Sequence, residues 1–137
     1  MDGTEIRRVA DGVVPEPLAE VFDDTFSPAR LRERARVDGH VLVVAVDGDR
    51  TVGQVAAIVQ YLAHKPPELH LENVGVASSH RRRGIAAAMV TEALAWGREL
   101  GCDEAWVATD VDNDAANELY RSLGSEDDPA LIHVFTL

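Results

Sequence analysis

Three consecutive arginines stand directly before a glycine where a strand pattern gives way to a helix pattern, in the stretch His-Arg-Arg-Arg-Gly-Ile-Ala of residues 80–86. The start of a helix presents unpaired backbone N–H groups and the positive end of the helix dipole, so it binds phosphate readily. A glycine there lets a ligand approach the backbone closely, and arginines supply charge. Arginines that merely decorated the surface would be unfavourable at this end of the dipole. The pattern therefore predicts a pyrophosphate site formed by Arg81, Arg82, Arg83, Gly84, Ile85 and Ala86.

A second group of polar residues follows the next predicted strand. Asp110 and Asp112 stand at the end of that strand, just before a helix pattern. Their carboxylates can bind a cationic substrate or remove its proton through a water molecule. Aspartates in this position also cap helices, and the sequence leaves both roles open.

The elements that must position these residues alternate between strands and helices, which predicts a compact α/β fold with a mixed sheet. Ser27 and Pro28 have the residue types of an N-cap and a first helical position, and Gly101 is typical of a helix end. The order strand, helix, strand, helix after residue 69 implies that two of the strands pair in parallel. Broken alternation at residues 73–75 indicates a bulge. We predict strands over residues 5–9, 41–46, 52–61, 69–76, 105–109 and 131–137, and helices that begin at Pro15 and span residues 30–37, 84–100 and 113–123.

Length and composition narrow the class of protein. The 137 residues and the 46% hydrophobic content predict one domain over residues 1–137. A net charge of −11 argues against a general nucleic-acid binder. It suits a cationic substrate, although solubility is the simpler explanation of an acidic surface. We find neither an apolar run long enough for a bilayer nor a secretory signal pattern, so we expect no membrane partner and a cytoplasmic location. The five histidines are scattered and Cys102 is the single cysteine, so we expect no metal and no internal disulfide.

Two spaced motifs resemble the GCN5-related N-acetyltransferase (GNAT) superfamily. The family pattern Gln/Arg-x-x-Gly-x-Gly/Ala corresponds to Arg81, Gly84 and Ala86. The family's downstream signature corresponds to Asn113, Ala116, Tyr120 and Gly124. Within the superfamily the sequence looks most similar to the aminoglycoside 3-N-acetyltransferase group, through residues 80–86, 119–124 and the ending around His133 and Phe135.

This resemblance implies a mostly antiparallel central sheet with a splayed parallel strand pair and about four helices. It implies direct transfer of an acetyl group from acetyl-CoA to a primary amine of a small cationic molecule, and a homodimer. Asn113 and Ala116 join the cofactor-binding residues, and the pantetheine pairs with the backbone of Val74, Gly75 and Val76. Tyr120 matches the family's acid, and its alternative role is to pack its ring on the sheet. Glu72 on the bulged strand is the candidate base, and its alternative is a solvent-facing or ion-paired glutamate.

One position departs from the family pattern. The residue after Glu72 tends to be acidic in the aminoglycoside group, but here it is Asn73, which cannot accept a proton. A noncatalytic acyl-CoA sensor is therefore an alternative, and so is a protein N-acetyltransferase. A nucleotide-binding module is a third alternative, although the G-x-G-x-x-G and Walker patterns are both absent from the sequence.

Overall fold

The sheet of this protein has five strands in the order β1-β2-β3-β4-β5, in a computed structural model that describes residues 3–23 and 25–137. The first four strands are antiparallel, and β4 and β5 are parallel. This mixed, mostly antiparallel sheet confirms the predicted fold class. The strands are β1 (Glu5–Val9), β2 (His40–Asp47), β3 (Arg50–Gln60), β4 (Glu68–Val76) and β5 (Glu104–Trp106); the α-helices are α1 (Pro28–Ala35), α2 (Ile85–Glu99) and α3 (Asp114–Ser122), with a 3₁₀ turn at Ser78–His80.

Strands β2 and β3 form the centre of the core because both of their faces are covered. Val43 and Val55 belong to the cluster that α2 covers, and Val44 belongs to the cluster on the α1 side. This is why the two runs are almost continuously aliphatic rather than alternating. Burying each such side chain contributes about 1.5–3 kcal/mol, so the hairpin is a rigid base for the neighbouring strand β4.

Helix α2 lies directly against β4. Ile85, Met89 and Ala93 are buried at intervals of four residues, as the sequence predicts. At Gly97 an added Cβ would lie 2.9 Å from Cδ2 of Leu69, so only a glycine allows the helix to approach the strand this closely. The position of the α2 N-terminus relative to β4 is therefore fixed by packing.

Strand β4 is bulged and then separates from β5. The pairing with β3 shifts between Leu71 and Asn73, which makes Glu72 the extra residue, just before the predicted bulge at 73–75. Strand β5 pairs only with Glu68–His70, and the rings of His70 and Trp106 stack at 3.9 Å where this pairing ends. Beyond that point β4 has no second strand partner in the described part of the chain.

Two predicted elements are wrong. The segment after Pro15 is not a helix: it runs beside the start of β3, where Thr51 N–H donates to the Glu16 carbonyl and Leu18 N–H donates to the Thr51 carbonyl. Two prolines in three residues also disfavour helical pairing there. Residues 131–137 are exposed and form no strand, because no strand of the described chain lies beside them. The structure thus has five strands and three α-helices within residues 3–23 and 25–137, instead of about six and four.

No helix of the described chain combines the length and the apolar character needed to cross a membrane.

Candidate active site

The N-terminus of α2 is open, as the arginine–glycine motif predicts. Gly84 precedes the helix with a φ of +76°, a left-handed conformation that favours glycine. The first helical bond runs from Ala88 N–H to the Gly84 carbonyl, so the N–H groups of residues 85–87 have no acceptor within the helix. No side chain of the described residues caps this end, and no atom lies within 4 Å of where a Gly84 Cβ would be. These features fit a bound phosphate.

The three arginines have different roles. The Arg81 side chain is held, because its Nε donates to the Val76 carbonyl at 3.3 Å and its Nη2 lies 3.4 Å from Oε2 of Glu20. Arg82 and Arg83 are exposed, and neither forms a salt bridge with any residue that the structure describes. Arg81 therefore ties the loop to the end of β4, whereas Arg82 and Arg83 are free to approach a phosphate.

Glu20 joins the N-terminal loop to this site. Its Oε1 accepts a hydrogen bond from Ser78 Oγ at 2.7 Å, and its Oε2 accepts from Arg81. The Glu20 backbone has a φ of +74°, which costs about 1–3 kcal/mol for a non-glycine residue. The contacts that offset this strain hold the loop against the arginine motif. No local sequence signal could have identified Glu20, because its partners lie 58 and 61 residues away.

The end of β4 is open along one side. Val74, Gly75 and Val76 pair with β3 on their other side. A side chain on Gly75 would overlap the carbonyl of Val21, so the absence of a side chain lets the N-terminal loop cross the strand. The backbone of an extended, amide-containing ligand can add along such an edge, which agrees with the expected pantetheine position.

Glu72, the candidate base, is paired. Its Oε1 lies 2.7 Å from Nη2 of Arg34, which also donates to the carbonyls of Val41 and Ala57. The Glu72 side chain is still 33% exposed. Arg34 thus holds one carboxylate oxygen at the bulge, which leaves the other oxygen for a ligand.

Asn73 positions a further carboxylate, which no sequence pattern indicates. The Nε2 group of the fully buried Gln54 donates to Asn73 Oδ1 and to the Val21 carbonyl, the latter at 3.1 Å. This contact fixes the Asn73 amide, whose Nδ2 donates to Asp23 Oδ2 at 2.9 Å. Asp23 is exposed and lies 50 residues from Asn73 in the sequence. The loop therefore supplies a carboxylate beside the position where the family pattern is acidic.

Tyr120 lies on α3 and packs against the main core cluster while remaining partly exposed. Burial raises the pKa of its hydroxyl above the ordinary value, because the charged phenolate is poorly solvated there. The hydroxyl is therefore protonated at neutral pH. A protonated phenol is what a general acid requires.

The loop before α3 is ordered by amide side chains. Asn113 is the N-cap, and its Oδ1 accepts from the Ala116 N–H at 3.2 Å, so these two predicted cofactor residues contact each other. Asn117 Nδ2 donates to the carbonyls of Asp110 and Val111. Asp110 and Asp112 are both exposed. Asn113 therefore caps the helix, a role that the sequence left open for Asp110 and Asp112. Neither aspartate carboxylate caps the helix among the described residues.

The structure also has a pocket away from the arginine motif. A cavity of about 360 Å³ is found where α1 and α2 approach the start of β2, with Leu31, Arg34 and Trp96 among its lining residues. The register of the sheet puts the start of β2 at the same end as the start of β4. The arginine motif follows the opposite end of β4, so the cavity and the motif are separate. No group of three or more metal-ligating side chains occurs among residues 3–23 and 25–137.

An open helix N-terminus that follows a bulged, splayed strand is the arrangement expected for the acetyltransferase class. The sequence matches the acetyltransferase (GNAT) family over residues 7–124, and the chain belongs to this family. The resemblance inferred from the two motifs is thereby confirmed.

Curated relatives share only part of their length with the chain. It is 33% identical over 88 residues to N-acetyltransferase family 8 member 3 of Rattus norvegicus, a match covering 61% of this chain and 39% of the relative. It is 29% identical over 63 residues to an aminoglycoside N(6′)-acetyltransferase type 1 of Acinetobacter haemolyticus, covering 46% and 43% respectively. The matches thus span about four tenths of the length of these curated relatives.

Solved structures share the fold over a greater length. An aminoglycoside acetyltransferase from an uncultured soil metagenomic sample, in complex with trehalose, has a TM-score of 0.80 at 17% identity, covering 99% of this chain and 97% of that one. An aminoglycoside N-acetyltransferase in complex with CoA has a TM-score of 0.71 at 24% identity, covering 80% and 74%. These likenesses support the fold. The aminoglycoside relative described above is named for the N(6′) position, so the resemblance to the 3-N group remains a prediction.

Proposed function

We propose that this protein transfers an acetyl group from acetyl-CoA to a primary amine of a small cationic molecule. The observation that carries the proposal is the open α2 N-terminus, with Arg82 and Arg83 exposed beside it. It lies at the end of a bulged strand in a chain of the GNAT family. The names of the aminoglycoside relatives support a small polyamine-like acceptor.

The backbone N–H groups of residues 85–87, with Arg82 and Arg83, would hold the pyrophosphate of acetyl-CoA. The open edge of Val74, Gly75 and Val76 would pair with its pantetheine. When bound, acetyl-CoA supplies an acetyl group activated as a thioester. Arg81 acts indirectly, since it holds the loop to Glu20 and to the end of β4.

The acceptor amine must lose its positive charge before it can attack. Asp23 accepts a hydrogen bond from Asn73, and the neighbouring Glu72 at the bulge is held by Arg34. We assign to these two carboxylates the binding of the ammonium group and the removal of its proton. Asp110 and Asp112 remain candidates for further contacts with a cationic acceptor, because they are exposed. The chain's charge of −11 raises the local concentration of such a molecule.

Tyr120 completes the proposed site as the acid. Its raised pKa keeps the hydroxyl proton in place at neutral pH, so this proton is available to the sulfur that leaves when the new amide bond forms. Asn113 begins the helix that carries Tyr120 and holds its first turn.

The sensor alternative predicts the same cofactor binding without turnover. The experiment is therefore thiol release from acetyl-CoA with purified protein and a panel of aminoglycosides, polyamines, amino acid derivatives and basic peptides. We expect release with the small polyamines, competition by CoA, and much less competition by a dinucleotide. Release with basic peptides alone would favour the protein-acetyltransferase alternative, and binding without release would favour the sensor.

We also propose that the protein is a homodimer. Support comes from the many large apolar side chains exposed in its last third.

A further inference from the structure

His80 stands directly before the three arginines and makes two polar contacts that the proposed site does not use. Its side chain is only 13% exposed, although Ser79 and Arg81 on either side of it are exposed residues. The ring Nε2 lies 2.8 Å from Oδ2 of Asp47, and the ring Nδ1 lies 2.8 Å from Oγ of Ser79. Both ring nitrogens have a polar partner, so the orientation of the imidazole is fixed.

The chemistry of the two partners sets the direction of these hydrogen bonds. A carboxylate is only an acceptor, so the Nε2–H group of His80 donates to Asp47. In the neutral ring Nδ1 accepts from the Ser79 hydroxyl, and in the protonated ring Nδ1–H donates to the Ser79 oxygen. Both charge states of the ring therefore keep the contact with Asp47.

Asp47 is a fixed anchor for this contact. It is the last residue of β2 and pairs with Arg50 across the tight turn to β3. Residues 41–46, which precede it, are all buried. The register of the sheet puts the end of β2 at the same end as the end of β4, where the arginine motif begins. His80 thus ties the motif to the buried centre of the sheet.

The motif contains a residue that must be held. Arg82 has a φ of +64°, a left-handed conformation that is unfavourable for a residue with a side chain. Such a conformation persists only where surrounding contacts maintain it. The two residues before Arg82 provide those contacts, since His80 bonds to Asp47 and Arg81 bonds to Glu20 and to the end of β4.

We propose that His80 and Asp47 form a latch that positions the arginine motif for the pyrophosphate of acetyl-CoA. Both are positioning residues, because they act through the backbone of Arg82 and the start of α2 and are assigned no contact with the cofactor. The inference rests on the proposed function and extends the site to the turn between β2 and β3. It makes the affinity for the cofactor depend on a contact between residues 33 positions apart.

The charge of Asp47 separates a latch from a simple electrostatic effect. Acetyl-CoA is anionic, and a carboxylate close to the motif repels it. If Asp47 acted only through its charge, removing that charge would strengthen binding. The latch predicts the opposite sign, because loss of the contact releases His80 and the strained residue that follows.

Calorimetric titration with CoA tests the latch without requiring turnover. His80→Ala and Asp47→Ala should each weaken binding by about tenfold, the effect of losing one charge-assisted hydrogen bond. The double variant should bind no more weakly than either single variant, because both substitutions remove the same contact. His80→Gln should restore most of the affinity, since a glutamine amide can also donate to Asp47.

Asp49→Ala is the matched control for Asp47→Ala. It removes a carboxylate from an exposed position of the same turn. This variant should bind CoA at least as tightly as the wild type. Urea denaturation checks that every variant is fully folded under the conditions of the titration.

Limited digestion with trypsin gives a second readout that needs no ligand. Trypsin cleaves after arginine, and a held segment resists cleavage because it must first open locally. His80→Ala and Asp47→Ala should be cleaved several-fold faster at residues 81–83, whereas His80→Gln and Asp49→Ala should resemble the wild type. Cleavage after Arg121 on α3 should keep the same rate in all variants, because general unfolding would accelerate both sites.

Three results would overturn the latch: an unchanged CoA affinity in His80→Ala, tighter CoA binding by Asp47→Ala, or an unchanged rate of cleavage at residues 81–83 in both alanine variants. A folded wild type that does not bind CoA would instead refute the proposed function. The digestion would then still decide whether His80 and Asp47 hold the motif.

Discussion

Replacing Gly84 with valine should weaken the binding of acetyl-CoA far more than a comparable loss of fold stability alone would. Gly84 has a φ of +76° with open space around it, so a valine would meet backbone strain rather than a clash. A non-glycine residue in this conformation costs about 1–2 kcal/mol of stability. The new side chain would also occupy the space in front of the α2 N–H groups. Loss of one charge-assisted hydrogen bond costs about 1.5–3 kcal/mol, which corresponds to a roughly 10- to 100-fold weaker binding of acetyl-CoA.

Gly101→Val is the matched control for this experiment. Gly101 has a φ of +91° and equally open surroundings, but it follows the other end of α2. Urea denaturation should show a similar loss of stability in both variants. Calorimetric titration with acetyl-CoA should show weak binding for Gly84→Val alone. Equal affinities in the two variants would refute the assignment of the cofactor phosphates to the α2 N-terminus.

Four further substitutions or reactions probe the remaining features. Tyr120→Phe should lower kcat by about 100-fold or more with little change in acetyl-CoA affinity. Because the pKa of the Tyr120 hydroxyl is raised, the wild-type kcat should fall only at a pH above the ordinary pKa range of tyrosine. The pH profile of the variant should lack that fall. Asp23→Asn should raise the KM for the amine several-fold, with Asp49→Asn as the exposed control; equal KM values would remove Asp23 from the site. Gly75→Ala should lower the midpoint of thermal unfolding, because its methyl group would overlap the Val21 carbonyl. Burial and the charge of Asp103 raise the pKa of the Cys102 thiol, so iodoacetamide should alkylate it more slowly at neutral pH in the folded protein than in urea.

Elements with local signals could be predicted from the sequence. Ser27 caps α1 with a hydrogen bond from Arg30 N–H, and Gly101 follows α2, as their residue types indicate. The two aliphatic runs formed the expected hairpin because both of its faces are buried. The arginine motif also has a local signal. Its Gly84 directly precedes the helix in a left-handed conformation that other residues avoid.

The features that could not be predicted depend on contacts between distant residues. Glu20 and Asp23 are ordinary acidic residues in the sequence, and only the path of the loop across Gly75 brings them to Arg81 and Asn73. The helix predicted from Pro15 failed because its backbone groups bond to Thr51 instead of to one another. Residues 131–137 have the composition of a strand but no partner strand within residues 3–23 and 25–137, and pairing is not encoded in a single segment.

Product analysis tests the central claim most directly. Each amine of the panel is incubated with acetyl-CoA and either wild-type protein or Gly84→Val, and the products are identified by mass spectrometry. We predict one acetyl group on a nitrogen of the amine for each CoA released by the wild type, and a greatly reduced yield with the variant. Tight binding of acetyl-CoA by the folded wild type, with no acetylated product from any amine in the panel, would contradict the proposed reaction.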